Sequence, residues 1–185
     1  MNHDDHVRLI RDGVVDGGSR WLELGAGEGA FTLALADLLG PGAHILATDR
    51  DGRVLRAAAA AVRRQFPETE LETRVFDYTE AIPYGPFDGV LAANTLHFVK
   101  DRETTLRSIR YSLNPEGRLV IVEYDADRGN PWVPHPFSFE RWRTEAVDAG
   151  YTEPRRIGRV PSRFLGAIYS AVATVPGTDH MTIGS

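Results

Sequence analysis

The chain has no cysteine. That excludes disulfides, thiolate zinc sites, iron–sulfur ligation and cysteine nucleophiles together. Lysine is almost missing as well: Lys100 stands alone among 21 basic residues, the rest being arginine. Schiff-base chemistry and a phosphate-cradling P-loop both need a lysine in a defined setting. Lys100 lies in FVKD, with no Gly-Lys-Ser/Thr around it, and the Tyr of a Tyr-x-x-x-Lys pair would fall at Leu96. No run approaches the roughly 20 apolar residues of a membrane span. The first residues, MNHDDHVRLIRD, are polar and partly acidic, unlike a leader peptide, so a cytoplasmic protein is expected. An excess of positive charge is missing too. The net charge of −5 argues against general nucleic-acid binding. No His, Asp and Glu set has the spacing of a metal site, so no metal is expected.

What remains is ordinary for a globular protein: 185 residues, 42% hydrophobic and 25% charged. That length suggests one domain over 1–185, able to bury roughly 70% of its unfolded surface. Val7, Leu9, Ile10 and Val14 mark a helix within 1–19. WLEL (21–24) is a strand running into a glycine-rich turn. Apolar residues from Phe31 to Leu39 recur at helical spacing until Gly40-Pro41-Gly42. HILAT (44–48) is a second strand, and Val54 to Val62 a second amphipathic helix. LETRVF (71–76) alternates like an edge strand. FDGVLAA (87–93) is a strand, 102–113 a helix, Asn114-Pro115-Glu116-Gly117 a turn, and RLVIVEY (118–124) a strand buried on both faces. Such alternation builds a parallel, doubly wound α/β sheet. The rhythm then changes. A proline-rich loop, 125–137, has Pro131, Pro134 and Pro136 to stiffen it, as suits a lid. Ser138 caps a helix over about 138–149. Strands at about 153–160 and 164–173 are too close for a crossover and must be antiparallel. The tail is 175–185, expected to fray from Pro176.

In an open parallel sheet, ligands bind at the carboxyl ends of the strands. Glu23, Asp49, Asp77 and Asn94 are polar residues that close apolar runs there. The turn Gly25-Ala26-Gly27-Glu28-Gly29 lets a ligand approach the backbone. Asp49, at the end of the second strand, is placed to take the two hydroxyls of a ribose. It is also placed to cap the following helix. The glycine spacing is G-x-G-x-G, not the dinucleotide pattern G-x-G-x-x-G. An acid two residues ahead, Glu23, sits poorly with a pyrophosphate. It suits a cation, such as the amino group of a methionine moiety beside a sulfonium.

On these residues the sequence resembles the class I S-adenosylmethionine-dependent methyltransferases. ELGAGEG (23–29) matches their first motif, ATDRD (47–51) the second and VFDYTE (75–80) the third. FDGVLAANTLHFVKD (87–101) and LNPEGRLVIVEY (113–124) resemble the branch of ubiquinone and menaquinone C-methyltransferases. The resemblance covers about residues 5 to 173. It implies a Rossmann-like, seven-stranded sheet of order 3-2-1-4-5-7-6 with the last strand antiparallel. It implies S-adenosylmethionine as cofactor, held by Glu23, Gly25, Ala26, Gly27, Asp49, Arg50, Asp77, Tyr78 and Asn94. About 20 residues precede the first strand, so the N-terminal cap that many members carry is not expected here.

The acceptor side is read from the residues alone. His97 follows Asn94 in the fourth-strand loop, and His135 lies between two prolines of the lid-like loop. Each is a candidate base. Asn130 and Trp132 are candidate substrate contacts, with Phe137 and Phe139 further aromatic candidates. The arginine clusters (53, 56, 63, 64 and 155, 156, 159, 163) read as solvated faces. The expected function is methyl transfer to a small molecule, the open cleft also admitting a partner chain as lid. The rivals are a non-catalytic cofactor-binding subunit and a nicotinamide oxidoreductase.

Overall fold

The computed structural model describes residues 1–177. Helix α1 is His3–Val14, capped by Asn2, whose side chain accepts from the Asp5 amide while Asp5 accepts from the Asn2 amide. Then come β1 (Arg20–Leu24), α2 (Ala30–Leu39), β2 (His44–Asp49), α3 (Gly52–Gln65), β3 (Glu70–Val75) and β4 (Phe87–Ala93). A 3₁₀ turn, Leu96–Phe98, leads to α4 (Arg102–Ser112) and β5 (Leu113–Tyr124). Helix α5 is Phe139–Asp148, with Ser138 accepting from the Arg141 amide as its cap. Strands β6 (Arg155–Ser162) and β7 (Gly166–Thr174) close the chain's described part. The seven strands form one sheet in the order β3-β2-β1-β4-β5-β7-β6. Strands β1 to β5 are parallel, and β7 is antiparallel to both β5 and β6. This is the fold class and order expected above.

The period-2 side-chain alternation of a strand explains the two layers. On β5, Leu119 and Ile121 face one way and join α4 and α5 around Trp142 and Tyr169. Val120 and Val122 face the other way and join α1 and α2 around Trp21 and Phe31. Trp21 is fully buried beside its ladder partner Gly89. A Cβ at Gly89 would stand 2.4 Å from the indole, so the glycine is what seats that ring.

Two boundaries differ from expectation. Leu113 leaves α4 and pairs with Phe87, the segment after it bulges out, and pairing resumes at Arg118 opposite Gly89. Pro115 has no N–H to give a ladder, which is why the extra residues collect there. The β6–β7 link is 163–165, later in the chain than expected, because Pro161 and Ser162 still pair with Ala167 and Gly166. Pro161 is tolerated because β6 is an edge strand. Of the tail, Val175 is pinned: it donates to Gly117 O and accepts from the Glu116 amide. The remainder of the tail, 178–185, lies outside the described residues.

Candidate active site

The carboxyl ends of β1 and β2 carry the glycine-rich turn. Gly25 has φ +66° and packs so tightly on Thr95 that a Cβ would come 2.6 Å from its Oγ1. Gly27 has φ +54° and open space where a side chain would be. Asp49 ties this turn to its own: Oδ2 accepts from the Gly27 amide at 3.0 Å and Oδ1 from the Asp51 amide at 2.9 Å. The cap of α3 is Asp51, which leaves Asp49 free of that task. Ala26 donates its amide to Thr48 O.

Glu23 is only 2% exposed, and its Oε2 accepts from Thr32 Oγ1 at 2.6 Å. Burial pushes its pKa up to about 8; the Thr32 bond opposes this and the nearby Asp49 charge adds to it. Glu23 therefore lies beneath the turn, withdrawn from solvent.

Beyond β3, Asp77 accepts from the amide and hydroxyl of Thr79, at 2.9 and 2.6 Å. These bonds hold its carboxyl below the usual range, with Arg50, 3.7 Å away, adding a little. Tyr78 is buried and donates its hydroxyl to Thr95 O at 2.8 Å. Arg50 and Tyr78 border a cavity of about 480 Å³ that reaches Phe98, Lys100 and Thr104.

Asn94 closes β4 in the left-handed region, φ +52°, where a short polar side chain is tolerated. Its Oδ1 is buried with no hydrogen-bond partner among the described residues. Three residues on, His97 is buried, and its Nδ1 lies 2.8 Å from Oε2 of Glu123. Glu123 is fully buried near the end of β5, and its Oε1 accepts from the amides of Thr95, Leu96 and His97. Three donors on one oxygen fix this group as an acceptor. Nδ1 of His97 faces the other Glu123 oxygen, which turns Nε2 away from Glu123.

Glu123 escaped sequence reasoning because RLVIVEY was read only as a buried strand. The signal was present: an acid inside an apolar strand, the same signal that singles out Glu23 in WLEL.

The loop 125–137 closes over this end. Asn130 Oδ1 accepts from the amides of Trp132 and Val133, so its oxygen is spent on the loop itself. Trp132 is 71% exposed, whereas Phe137 is fully buried against Trp142 and Tyr169. Phe139, also buried, packs on Tyr169, so neither phenylalanine is open to a ligand. The His135 side chain is exposed, and its backbone does the anchoring. The His135 amide donates to His97 O, and its carbonyl accepts from Arg102 Nη1, both at 3.0 Å. Arg102 is buried, clamps Glu145 through Nε and Nη2 at 2.7 and 2.9 Å, and lies over the Phe137 ring. The loop, the His97 backbone and helix α4 thus form one connected unit.

The structure brings Glu23, Gly25, Ala26, Gly27 and Asp49 together. Arg50, Asp77 and Tyr78 adjoin them, and Asn94, His97 and Trp132 share a pocket that Tyr124, Val133 and Phe164 complete. Another hollow, about 330 Å³, lies at the opposite strand ends by Arg20, His44 and Glu70, away from all of these. No metal-ligating cluster is found among the described residues. No helix among the described residues is long and apolar enough to cross a membrane.

Residues 22–119 match the family model of a methyltransferase domain. The chain is 33% identical over 131 residues to a reducing polyketide synthase, ppsB, of Aspergillus oryzae, covering 65% of this chain and 5% of that protein. It is 30% identical over 109 residues to a ubiquinone/menaquinone biosynthesis C-methyltransferase of Pasteurella multocida, covering 58% and 40%. The chain therefore spans less than half the length of these relatives. Among solved structures, magnesium protoporphyrin IX methyltransferase of Synechocystis PCC 6803 with bound S-adenosylmethionine superposes with a TM-score of 0.70. It is 18% identical over 94% of this chain and 77% of that one, a likeness of fold.

Proposed function

Since the chain belongs to the methyltransferase domain family and takes S-adenosylmethionine as its cofactor, we propose that it methylates a small-molecule acceptor beside His97, which takes the acceptor's proton. The observation that carries this is the buried pair of His97 and Glu123 at the carboxyl edge of the sheet. Bound S-adenosylmethionine supplies a methyl on a sulfonium, already a good leaving group. The residues present fit that molecule. Each Asp49 oxygen accepts one backbone N–H and keeps a lone pair for a ribose hydroxyl. Gly25, Ala26 and Gly27 leave room for close approach. The unpartnered Asn94 Oδ1 is an acceptor waiting for a ligand donor. Arg50 and Tyr78, with Asp77 beside Arg50, border the space for the adenine.

His97 and Glu123 divide the acceptor chemistry. Glu123 fixes the imidazole's tautomer and orientation through Nδ1, and Nε2 accepts the proton. Glu123 is a positioning residue, since it touches His97 and not the pocket. The loop with Asn130 and Trp132 excludes water and orients the acceptor. His135 contributes through its backbone, and we assign its imidazole no proton transfer.

The test is incubation with methyl-labelled cofactor and a metabolite extract. The expected result is a labelled small molecule, with S-adenosylhomocysteine formed in equal amount. Tight cofactor binding with no labelled product from any extract would overturn the assignment. Product formed unchanged by His97→Asn would overturn the base.

A further inference from the structure

The pocket above His97 has walls of one chemical kind. Asn94, His97, Tyr124, Trp132, Val133 and Phe164 line about 400 Å³, large enough for a small organic acceptor. Phe164 comes from the β6–β7 link, remote in sequence from the rest. Its ring lies 5.8 Å from that of Tyr124 and 6.3 Å from that of Trp132. Tyr124 stands edge-on to His97 at 5.8 Å. Among the described residues lining the pocket, the imidazole is thus the one ionisable base, in an aromatic surround.

Charge is scarce there. Among the described residues, no Lys, Arg, Asp or Glu lines this pocket. Arg128 and Arg163, on its two loops, are exposed and outside the lining, as are the other seven clustered arginines. An anionic acceptor would exchange water for rings, with no cationic side chain in the lining to pair with. A cationic acceptor would face the sulfonium that donates the methyl. An uncharged acceptor meets neither penalty, and a flat one gains stacking on the three rings.

We infer that the acceptor is an uncharged molecule with a flat, unsaturated body resting against Trp132, Phe164 and Tyr124, carrying a weakly acidic hydrogen at the end beside His97. This rests on the methyl-transfer reading above. The hydrogen is borne by oxygen or by a carbonyl-activated carbon. Nε2 takes it as a proton. The electron pair left behind forms the bond to the methyl carbon, while the carbon–sulfur pair returns to sulfur. The sulfonium charge is lost and the imidazole gains one, so the charge balances.

The experiment is calorimetric titration of the full chain saturated with S-adenosylhomocysteine. The probes are 2-naphthol, 1-phenylbutane-1,3-dione and 6-hydroxy-2-naphthoate. The two neutral probes are expected to bind at least about tenfold more tightly than the carboxylate. Phe164→Ala is expected to weaken 2-naphthol about tenfold and leave S-adenosylhomocysteine affinity unchanged. Equal or tighter binding of the carboxylate, no binding of either neutral probe, or an indifferent Phe164→Ala would overturn the inference. Labelled cofactor then locates the hydrogen, since naphthol gives an ether and the dione a new carbon–carbon bond. Failure of S-adenosylhomocysteine itself to bind would instead strike the methyl-transfer reading on which the inference rests.

Discussion

Two buried glutamates lie near the ends of two strands of one sheet, Glu23 on β1 and Glu123 on β5, and their surroundings differ. Glu23 has one hydroxyl donor, Thr32, and burial lifts its pKa to about 8. Glu123 receives three backbone amides and the His97 ring. A buried carboxyl with one donor holds a proton; one whose oxygen takes three backbone amides is fixed in place and can orient its neighbours. The same contrast separates the two edges of the site. Around β1 and β2, short turns satisfy each other, as when Gly27 donates to Asp49. Around β4 and β5, side chains from loops distant in sequence converge on apolar walls. Burial alone does not define a glutamate's role; the number and direction of its donors do.

The contrast breaks most sharply at Glu123. Glu123→Gln keeps an oxygen for the amides but offers an N–H₂ to Nδ1, forcing the other tautomer on His97. Methyl transfer is expected to fall by about 10²–10⁴, as for loss of a general base, with cofactor affinity retained. His97→Asn should match it. Single-turnover rates within threefold of the parent would show that neither residue handles a proton.

Next is Asp49. If Asp49 takes the ribose as proposed, Asp49→Ala removes two charge-assisted hydrogen bonds to the cofactor, each worth about 1.5–3 kcal/mol. Affinity for S-adenosylhomocysteine should drop about a hundredfold or more by calorimetry while the fold survives. An unchanged dissociation constant would reduce Asp49 to a turn-former.

Glu23 tests the other glutamate. Its folded pKa, about 8, exceeds its ordinary value of 4.5, so the folded state holds the extra proton between them. Stability from this group is full below about 4.5 and is lost as pH rises toward 8, an effect on the order of a few kcal/mol. Asp77 and Glu145, whose pKa values are lowered, act in the opposite direction. The informative quantity is therefore the difference between the parent and Glu23→Gln in denaturant unfolding at pH 5, 7 and 9. The variant should gain relative stability as pH rises, and parallel curves would contradict a protonated Glu23.

The smallest effects belong to the lid. Trp132→Ala should raise the acceptor KM several-fold with kcat little changed, as lost stacking worth about 0.5–1.5 kcal/mol requires. His135→Ala should change neither by more than about twofold, because its backbone makes the contacts to His97 and Arg102. A pronounced kcat loss in His135→Ala would move proton transfer onto the loop.

The sequence by itself determined the order and type of the elements, the glycine turn and the strand-end acids. Each follows from local chemistry: period-2 and period-3.6 hydrophobicity, glycines where φ is positive, a polar residue where an apolar run stops. The sheet order came from resemblance to a family, since crossovers leave no mark at single residues. Only the tertiary structure decided which partners those residues meet. Glu123 reaches His97 because β4 and β5 are neighbours, and a strand's alternation turns that acid to the same face as Leu119 and Ile121. Phe164 reaches Trp132 because β6 and β7 extend past β5. Phe137 and Phe139, indistinguishable from Trp132 as aromatic candidates along the chain, are sealed in the core while Trp132 stays outside. The physical reason is common to all three: register and packing fix distances between residues whose separation along the chain is arbitrary, and no local pattern encodes them.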